Sequence, residues 1–367
     1  MDFFFEPAFN EIHYQPIKTI TTKFNGTIET NYYKFAGDFS IPNSVNNTPF
    51  SQALLYLRSS NRMAYPIEVV KTVRQGSGTE FIQAGSFFEY TVDPTSNHVN
   101  LARKFSLKQI HSASISNFIF SNYINGSILK SSNYYLESFF SNYTNNNNLN
   151  QLTNGNNHSS MIYDQFEDEI ISVCDGCKTT EMAYVDFEDI EGALGNGTTK
   201  GNFLFSNSPG SSWPLAPKSG LARAGSYSLN ISGITISFNG ASLSNSQKYI
   251  LRFWTRNGTS ILKANSLSLT PTIIGVVDGW TLNELVFTGG ITVEISGNCL
   301  IDQIVIFREG AQISISGFDN YYQNVFVSKG GIDISRMEYD GLGRLSFVYD
   351  NEGNILKSFS YSIKEEY

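Results

Sequence analysis

Apolar and polar residues alternate with a period of two along most of the 367-residue chain. Such alternation is typical of β-strands that bury one face. The alternating runs are separated by clusters of Gly, Asn, Ser and Asp, which tight turns favour. One stretch has a helical period instead, because Thr48-Pro49 is followed by apolar residues at i, i+3, i+4 and i+7 (Phe50, Ala53, Leu54, Leu57). We therefore predict an all-β protein with one short helix at about 49–61, N-capped by Thr48.

The stretch Tyr339–Tyr361 contains an internal repeat of about ten residues, the length of one strand and one turn. Asp-x-x-Gly can form the turn, because Asp bonds its own backbone and Gly accepts positive φ. We predict paired β-hairpins here, with no reactive side chain fixed in them. The repeat positions are Tyr339, Asp340, Gly343, Arg344, Tyr349, Asp350, Gly353 and Asn354.

The pattern divides the chain into four predicted parts. Residues 1–141 form an N-terminal β-ribbon that carries the helix. Residues 142–182 hold an Asn-rich loop, expected to be mobile because it has few apolar residues, and a degenerate repeat unit at Tyr163-Asp164. Residues 183–308 contain about ten short strands and read as a two-sheet sandwich. Residues 309–367 form the repeat segment.

The segment YDGLGRL…VYDNEGNILKSFSY resembles the YD repeat of the RHS/YD-repeat surface proteins, in the form found at the C-termini of large exported Bacteroidetes proteins. The resemblance implies β-hairpins that build a cell-surface structure. A shell that encloses cargo takes many more repeats than this chain holds, so the resemblance does not imply encapsulation.

The order of motifs in 183–308 is similar to carbohydrate-binding-module-like jelly rolls. The motifs are Phe187-Glu188, Gly225-Ser226-Tyr227-Ser228, Tyr249 with Phe253-Trp254, Gly279-Trp280, and Ile301-Asp302 with Ile304 and Ile306. This resemblance implies a structural calcium held by Glu188 and Asp302, unless both are ordinary strand-end acids. Trp213, in the loop SSWPLAP, is the candidate sugar platform, although a loop Trp can also pack over the sandwich edge. Trp254 and Trp280 are expected in the core.

Composition and charge exclude several classes of function. The net charge of −8 argues against nucleic acid as a partner, because phosphate binding needs a basic face. The sequence contains no run of 18 apolar residues, so no membrane-spanning helix is expected. The start at Met1 shows no signal peptide. We nevertheless expect an extracellular or cell-surface location, associated with the outer membrane, since the composition is typical of exported β-proteins.

Candidate chemistry is sparse. The chain has no G-x-S-x-G, H-E-x-x-H or P-loop motif, and its four histidines are scattered. We therefore expect no enzyme activity and no cofactor beyond the calcium. Cys174 and Cys177 form a lone C-x-x-C, which favours local thiols or one disulfide over zinc, because two further ligands are missing nearby. The acidic run 164–169 is either a solvated turn or a cation site.

These observations favour a non-enzymatic structural or docking component of an exported or cell-surface assembly. The expected partners are other surface or outer-membrane proteins. One alternative is a carbohydrate-binding surface lectin, whose partner would be a glycan. A second alternative is an accessory subunit of an outer-membrane secretion or uptake complex.

Overall fold

The structure is a computed structural model that describes residues 4–9, 14–43, 47–93, 95–108, 113–164, 166–188, 196–207, 218–219, 221–319 and 321–361. Within these ranges nearly all regular structure is antiparallel β-sheet, which confirms the all-β prediction. The chain forms two compact units, residues 1–156 and 157–367. Among the described residues, no helix has the length and apolar character needed to cross a membrane.

The first unit contains one long antiparallel sheet and a small hairpin. Its strands are β1 Phe4–Phe9, β2 Pro16–Thr22, β3 Thr27–Phe35, β4 Pro66–Gln75, β5 Phe81–Val92, β6 Val99–Leu107, β7 Asn122–Ile124, β8 Ser127–Leu129, β9 Tyr134–Tyr143 and β10 Leu149–Asn154. Strands β1 to β6 follow one another in the sheet, and β9 and β10 continue it after β6. Among the described strands, β7 and β8 pair only with each other.

The predicted helix is present as α1, Pro49–Ser59. Pro49 occupies the first turn, and the Thr48 hydroxyl accepts a hydrogen bond from the Ser51 amide at 3.3 Å. This is the N-cap that the sequence predicted. The apolar face of α1, which includes Leu54 and Leu57, packs in one buried cluster with residues of the sheet such as Phe87. The helix therefore covers one face of the ribbon.

The prediction of a mobile loop over 142–160 was wrong. This stretch contains β10, then Gly155 at φ +60°, and then the start of β11, Asn157–Tyr163. Asn residues take the left-handed backbone conformation more readily than most others, so they serve as turn residues here. The polar strand β10 forms because β9 supplies its backbone hydrogen bonds.

The second unit contains three antiparallel sheets. Its further strands are β12 Ile170–Asp175, β13 Ala183–Val185, β14 Thr198–Lys200, β15 Phe203–Asn207, β16 Lys218–Ser219, β17 Tyr227–Asn230, β18 Ile234–Asn239, β19 Lys248–Arg256, β20 Ser260–Ala264, β21 Leu267–Leu269, β22 Thr272–Val277, β23 Trp280–Thr288, β24 Thr292–Gly297, β25 Leu300–Arg308, β26 Gln312–Phe318, β27 Asn324–Lys329, β28 Asp333–Tyr339, β29 Leu345–Tyr349 and β30 Ile355–Ser358.

Two of these sheets form a sandwich. One has the order β16-β17-β25-β19-β23-β22, with β13 also paired to β25, and the other has the order β14-β15-β18-β24-β20-β21. The third sheet, here called the ribbon sheet, runs β11-β12-β26-β27-β28-β29-β30. The sandwich sheets lie within the range predicted for them, while the exact four-part division of the chain stays a prediction.

Strand β19 shows how the three sheets pack. Tyr249, Leu251 and Phe253 lie in the core between the two sandwich sheets. Trp254 faces the other way, into a second core shared with the ribbon sheet, where Phe326 is also buried. The Trp254 indole N–H donates to the Gly331 carbonyl at 3.2 Å. One face of the sandwich is therefore covered by the ribbon sheet.

The remaining core predictions fit this arrangement. Trp254 and Trp280 are each 1% exposed, as expected for core residues. Cys174 and Cys177 form a disulfide in the second core, in agreement with the local-disulfide alternative. Cys299 is a buried free thiol in the sandwich core.

Candidate functional site at the junction of the sandwich and the ribbon sheet

The repeat segment forms two turns of the same construction. The Asp340 amide donates to the Arg344 carbonyl, and the Gly343 amide donates to the Asp340 carbonyl, each at 2.9 Å. The Asp340 carboxylate accepts from the amides of Leu342 and Arg344. Asp350 repeats this pattern with Gly353 and Asn354. Gly343 and Gly353 both have positive φ, at +75° and +87°. These are three-residue hairpin loops, each closed by a residue in the left-handed conformation.

The residue after each turn glycine also helps to close the turn. The Arg344 guanidinium forms an ion pair with Asp340 at 2.7 Å. The Asn354 side-chain amide donates to the Asp350 carboxylate at 2.9 Å. The tyrosine at the start of the unit bonds to a neighbouring strand, as when the Tyr339 hydroxyl donates to the Asn324 carbonyl. These repeat residues are therefore structural.

Three further copies of the turn lack glycine. Asp319 and Thr144 each start a turn with the same backbone bonds, and Asp164 starts one that is a residue longer, because its amide donates to the Glu169 carbonyl. Each turn has a residue with positive φ at its fourth position. Sequence reasoning suspected the copy at Asp164 but missed those at Asp319 and Thr144. An aromatic residue followed by Asp or Thr was the available signal. The closing residues are Tyr322, Glu167 and Asn147.

The two acids proposed for calcium both hold the segment 223–227. Glu188 is buried, and its carboxylate accepts from the amides of Ser226 at 2.9 Å and Tyr227 at 2.8 Å. Asp302 is fully buried and accepts from the amides of Arg223 at 2.7 Å and Ala224 at 3.2 Å. Asp302 therefore binds two buried backbone donors that would otherwise be unsatisfied, whereas Glu188 binds two amides of the more exposed residues Ser226 and Tyr227.

Glycine is required at position 225, next to Glu188. A Cβ on Gly225 would lie 2.3 Å from the Glu188 carboxyl carbon, and Gly225 has φ +68°. Any side chain there would displace the carboxylate. The Gly-x-Tyr-Ser motif thus has a steric explanation.

A third buried acid, Asp186, accepts from the Tyr184 hydroxyl at 3.1 Å and from the Glu188 amide. Burial, together with the negative charge of Asp186, raises the pKa of Glu188 to about 9, against the lowering effect of the amide donors. Burial also raises the pKa of Asp302. Glu188 is therefore protonated near neutral pH.

The carboxylate oxygens of Glu188 and Asp302 do not match the ligands that a calcium ion needs. Calcium requires six to eight oxygen ligands, whereas N–H groups already occupy oxygens of both carboxylates. Among the described residues, no group of three or more Asp, Glu, His or Cys side chains is placed to hold a metal. The calcium site at Glu188 and Asp302 stays a prediction from the resemblance. Trp213, the proposed sugar platform, lies outside the described residues.

Arg223 connects the sandwich to the repeat segment. Its side chain is buried, with the guanidinium 4.6 Å from the centre of the Trp254 ring. Its Nη2 donates to the Asn351 carbonyl at 3.1 Å and to the Asn351 side chain. Asn351 belongs to the second repeat turn, so one buried cation fixes that hairpin against the sandwich.

A polar pocket of about 310 Å³ opens beside this contact. It brings together two sets of predicted motif residues, from the sandwich loop and from the second hairpin. Arg336, in β28, lines the pocket and has a buried Nε with no hydrogen-bond partner among the described residues. The lining residues are Gly225, Ser226, Val325, Arg336, Met337, Glu338, Tyr349 and Gly353.

Comparisons with known proteins assign no family to this chain. No family model matches it, and no curated protein matches it. A crystal structure of TcdB2-TccC3-Cdc42 aligns with 98% of this chain and 15% of that chain, at 11% identity and a TM-score of 0.18. The GH31 alpha-xylosidase of Xanthomonas citri aligns with 85% of this chain and 37% of that chain, at 10% identity and a TM-score of 0.12. Similarity this low supports no functional argument.

Proposed function

We propose that the chain is a non-enzymatic structural or docking component of an exported or cell-surface assembly, and that β30 is its docking edge. The observation that carries the proposal is the exposure of this strand. All four residues of β30 are exposed, including Ile355 and Leu356 at 58% and 56%. Phe359 and Tyr361, just beyond it, are also exposed.

The backbone of β30 supports the same proposal. One edge of β30 pairs with β29, and in the described part of the chain no strand pairs with the other edge. A free edge presents unpaired N–H and C=O groups to another chain. Lys357 is the sole charge on the strand, so little electrostatic protection opposes strand addition.

The proposed location is outside the cytoplasm, with other surface or outer-membrane proteins as partners. The Cys174–Cys177 disulfide supports this location, because disulfides persist mainly in oxidising compartments. The accessory-subunit alternative predicts co-purification with one membrane complex, and the lectin alternative predicts a signal on a glycan array. In the sandwich, Trp254 and Trp280 are unavailable as sugar platforms because both are buried.

Two proline variants test the docking edge. The Phe359 amide donates inward, to the Ser346 carbonyl, so alternation along the strand points the Ser358 amide outward and the Lys357 amide inward. In the source cells, we expect tagged Ser358→Pro protein to fold normally but to lose its cross-links to surface proteins. Lys357→Pro is the matched control, expected to loosen the β29–β30 pair itself. Ser358→Pro protein that cross-links like the wild type would contradict the proposal.

A further inference from the structure

We propose that a pocket in the first unit binds a sugar of a glycan chain, with Tyr14 and Tyr65 as its stacking platforms. The pocket, here called the tyrosine pocket, has a volume of about 600 Å³. It lies between residues 14–15, just before β2, and residues 61–65, which join α1 to β4. It includes no residue of β30 or of the sandwich, so the proposal goes beyond the docking edge.

The end of α1 fixes one wall of the tyrosine pocket. The Arg62 amide donates to the Leu57 carbonyl at 2.8 Å, and the Asn61 amide donates to the Arg58 carbonyl at 3.2 Å. Asn61 has φ +56°. These features form a Schellman motif, a common cap at the C-terminus of a helix. Because the cap sets the backbone of Asn61 and Arg62, both residues line the pocket from a defined position.

Tyr65 is held in place before any ligand binds. Its side chain is 41% exposed, and its ring packs at 76° to the ring of Tyr90, with 5.8 Å between the ring centres. Tyr90 is buried, and its hydroxyl donates to the Pro66 carbonyl at 3.1 Å. A ring that is already oriented loses less conformational entropy on binding. Tyr65 therefore offers a large, rigid and amphipathic contact surface.

Tyr14 presents the second ring from a strained backbone. Its φ is +55°, a conformation that bulky residues rarely adopt and that costs free energy. The side chain is 78% exposed, so packing within the described chain does not offset this cost. Backbone strain of this kind concentrates at binding and active sites. Contact with a ligand would give the exposed ring a function.

The polar groups of the lining indicate the class of ligand. In the described part of the chain, the Arg62 guanidinium, the Asn61 side-chain amide and both tyrosine hydroxyls have no hydrogen-bond or ion-pair partner. The described lining contains no Asp or Glu. Sugars combine apolar C–H faces, which suit aromatic rings, with hydroxyl groups that suit these donors and acceptors. A cation would be repelled by Arg62, and a wholly apolar ligand would cover the polar groups without giving them partners.

The first experiment is a glycan array probed with the biotinylated full chain bound to streptavidin. Several copies then bind together, which amplifies weak single-site affinity. We expect a signal from at least one glycan, and its soluble form becomes the probe for titration. An array without signal would overturn the proposal. A polyproline peptide is the second probe, because aromatic-lined grooves also bind such peptides, and its displacement of the glycan would overturn the sugar assignment.

Variants of Tyr65 test the residue assignment with the selected glycan. Tyr65→Ala should weaken binding by about 10-fold or more, because a stacking platform is lost. Tyr65→Phe keeps the ring and should retain most of the affinity. The matched control is Tyr135→Ala, at a tyrosine of β9 that is 46% exposed, and it should bind like the wild type. Wild-type binding in Tyr65→Ala together with loss of binding in Trp213→Ala would place the sugar in the sandwich and overturn the proposal.

Tyr14→Gly separates a role in binding from a role in folding. Glycine adopts positive φ without strain, so this variant should melt no lower than the wild type. It should nevertheless bind the glycan about 10-fold more weakly, because the second platform is lost. Wild-type binding in Tyr14→Gly would overturn the proposal even if Tyr65→Ala failed to fold. Cross-linking through β30 should be unchanged in Tyr14→Gly, so this proposal and the docking proposal can fail separately.

Discussion

At the scale of single residues, Glu188 shows burial and hydrogen bonding in competition. The amides of Ser226 and Tyr227 favour its charged form, whereas burial and the charge of Asp186 favour the neutral form. The neutral form prevails because desolvation is the largest of these effects. The same carboxyl group also determines which residue can occupy position 225. One side chain therefore sets both a local pKa and a sequence motif.

We predict that this titration makes stability pH-dependent. The folded pKa of about 9 lies above the ordinary glutamate pKa of 4.5, so the stabilisation is complete below about pH 4.5 and is lost as pH rises toward 9. The free energy of unfolding of the wild type should fall between about pH 5 and pH 9. In Glu188→Gln this fall should be smaller by on the order of a few kcal/mol. Urea denaturation at several pH values measures this.

The control for this prediction is Asp350→Asn. Hydrogen bonds from Asn354 lower the pKa of Asp350, so its contribution is lost only as pH falls into the acid range. The Asp350→Asn substitution should not change how the free energy of unfolding varies with pH above about pH 5. An identical pH profile for the wild type and Glu188→Gln would contradict the assignment.

The sequence revealed only part of the junction. Glu188 and Asp302 could be selected by their motif positions, yet their role as acceptors for the 223–227 amides could not. Arg223 and Arg336 were not selected at all. They are 113 positions apart in the chain and lie in no local motif, so only the folded structure brings them together.

At the scale of elements, turn chemistry determines the ribbon sheet. Each turn needs an acceptor at its first residue and a residue with positive φ at its fourth position. Glycine meets the second need in two copies, whereas Tyr322, Glu167 and Asn147 meet it in the others. The sequence predicted the copies with glycine, because Asp-x-x-Gly is a recognisable pair. The copy at Asp164 was suspected from its Tyr-Asp pair, whereas those at Asp319 and Thr144 escaped prediction because they have no glycine to mark the position with positive φ.

Two glycines in one turn provide a matched test of this account. Gly343→Ala should destabilise the protein by about 1–2 kcal/mol, because its φ is +75°. Gly341, two residues earlier, is absent from the positive-φ residues and has no atom within 4 Å of its Cβ position. Gly341→Ala should be neutral or stabilise by up to about 1 kcal/mol. Equal midpoints of chemical denaturation for the two variants would refute the turn assignment.

The disulfide also acts at this scale, by closing a four-residue loop at the end of β12. For so short a loop, the entropy model gives a stabilisation of about 2 kcal/mol. We expect a reductant to lower the denaturation midpoint of the wild type and to leave the double variant Cys174→Ala/Cys177→Ala unchanged. Cys299→Ala, which keeps the disulfide, should remain sensitive to reductant. A wild type insensitive to reductant would show that the bond is absent or contributes nothing.

At the scale of the second unit, two cores share one sheet. Strand β19 buries Tyr249, Leu251 and Phe253 on one side and Trp254 on the other. The sequence predicted the sandwich from strand spacing, but not the cover that the ribbon sheet provides. Large apolar residues on both faces of β19 were the available signal, because strands buried on both sides do not alternate cleanly. The repeat segment is thus part of the folded unit, and β30 is the last of its described strands.

The central claim is that β30 is a docking edge, and hydrogen–deuterium exchange tests it most directly. In the isolated chain, the outward amides of Ile355–Ser358 should exchange as fast as those of the exposed repeat turns. In the native assembly purified from source cells, the account predicts that these amides become protected, while the turn Asp340–Gly343 is unchanged. Equally rapid exchange of Ile355–Ser358 in the isolated and assembled states would contradict the claim.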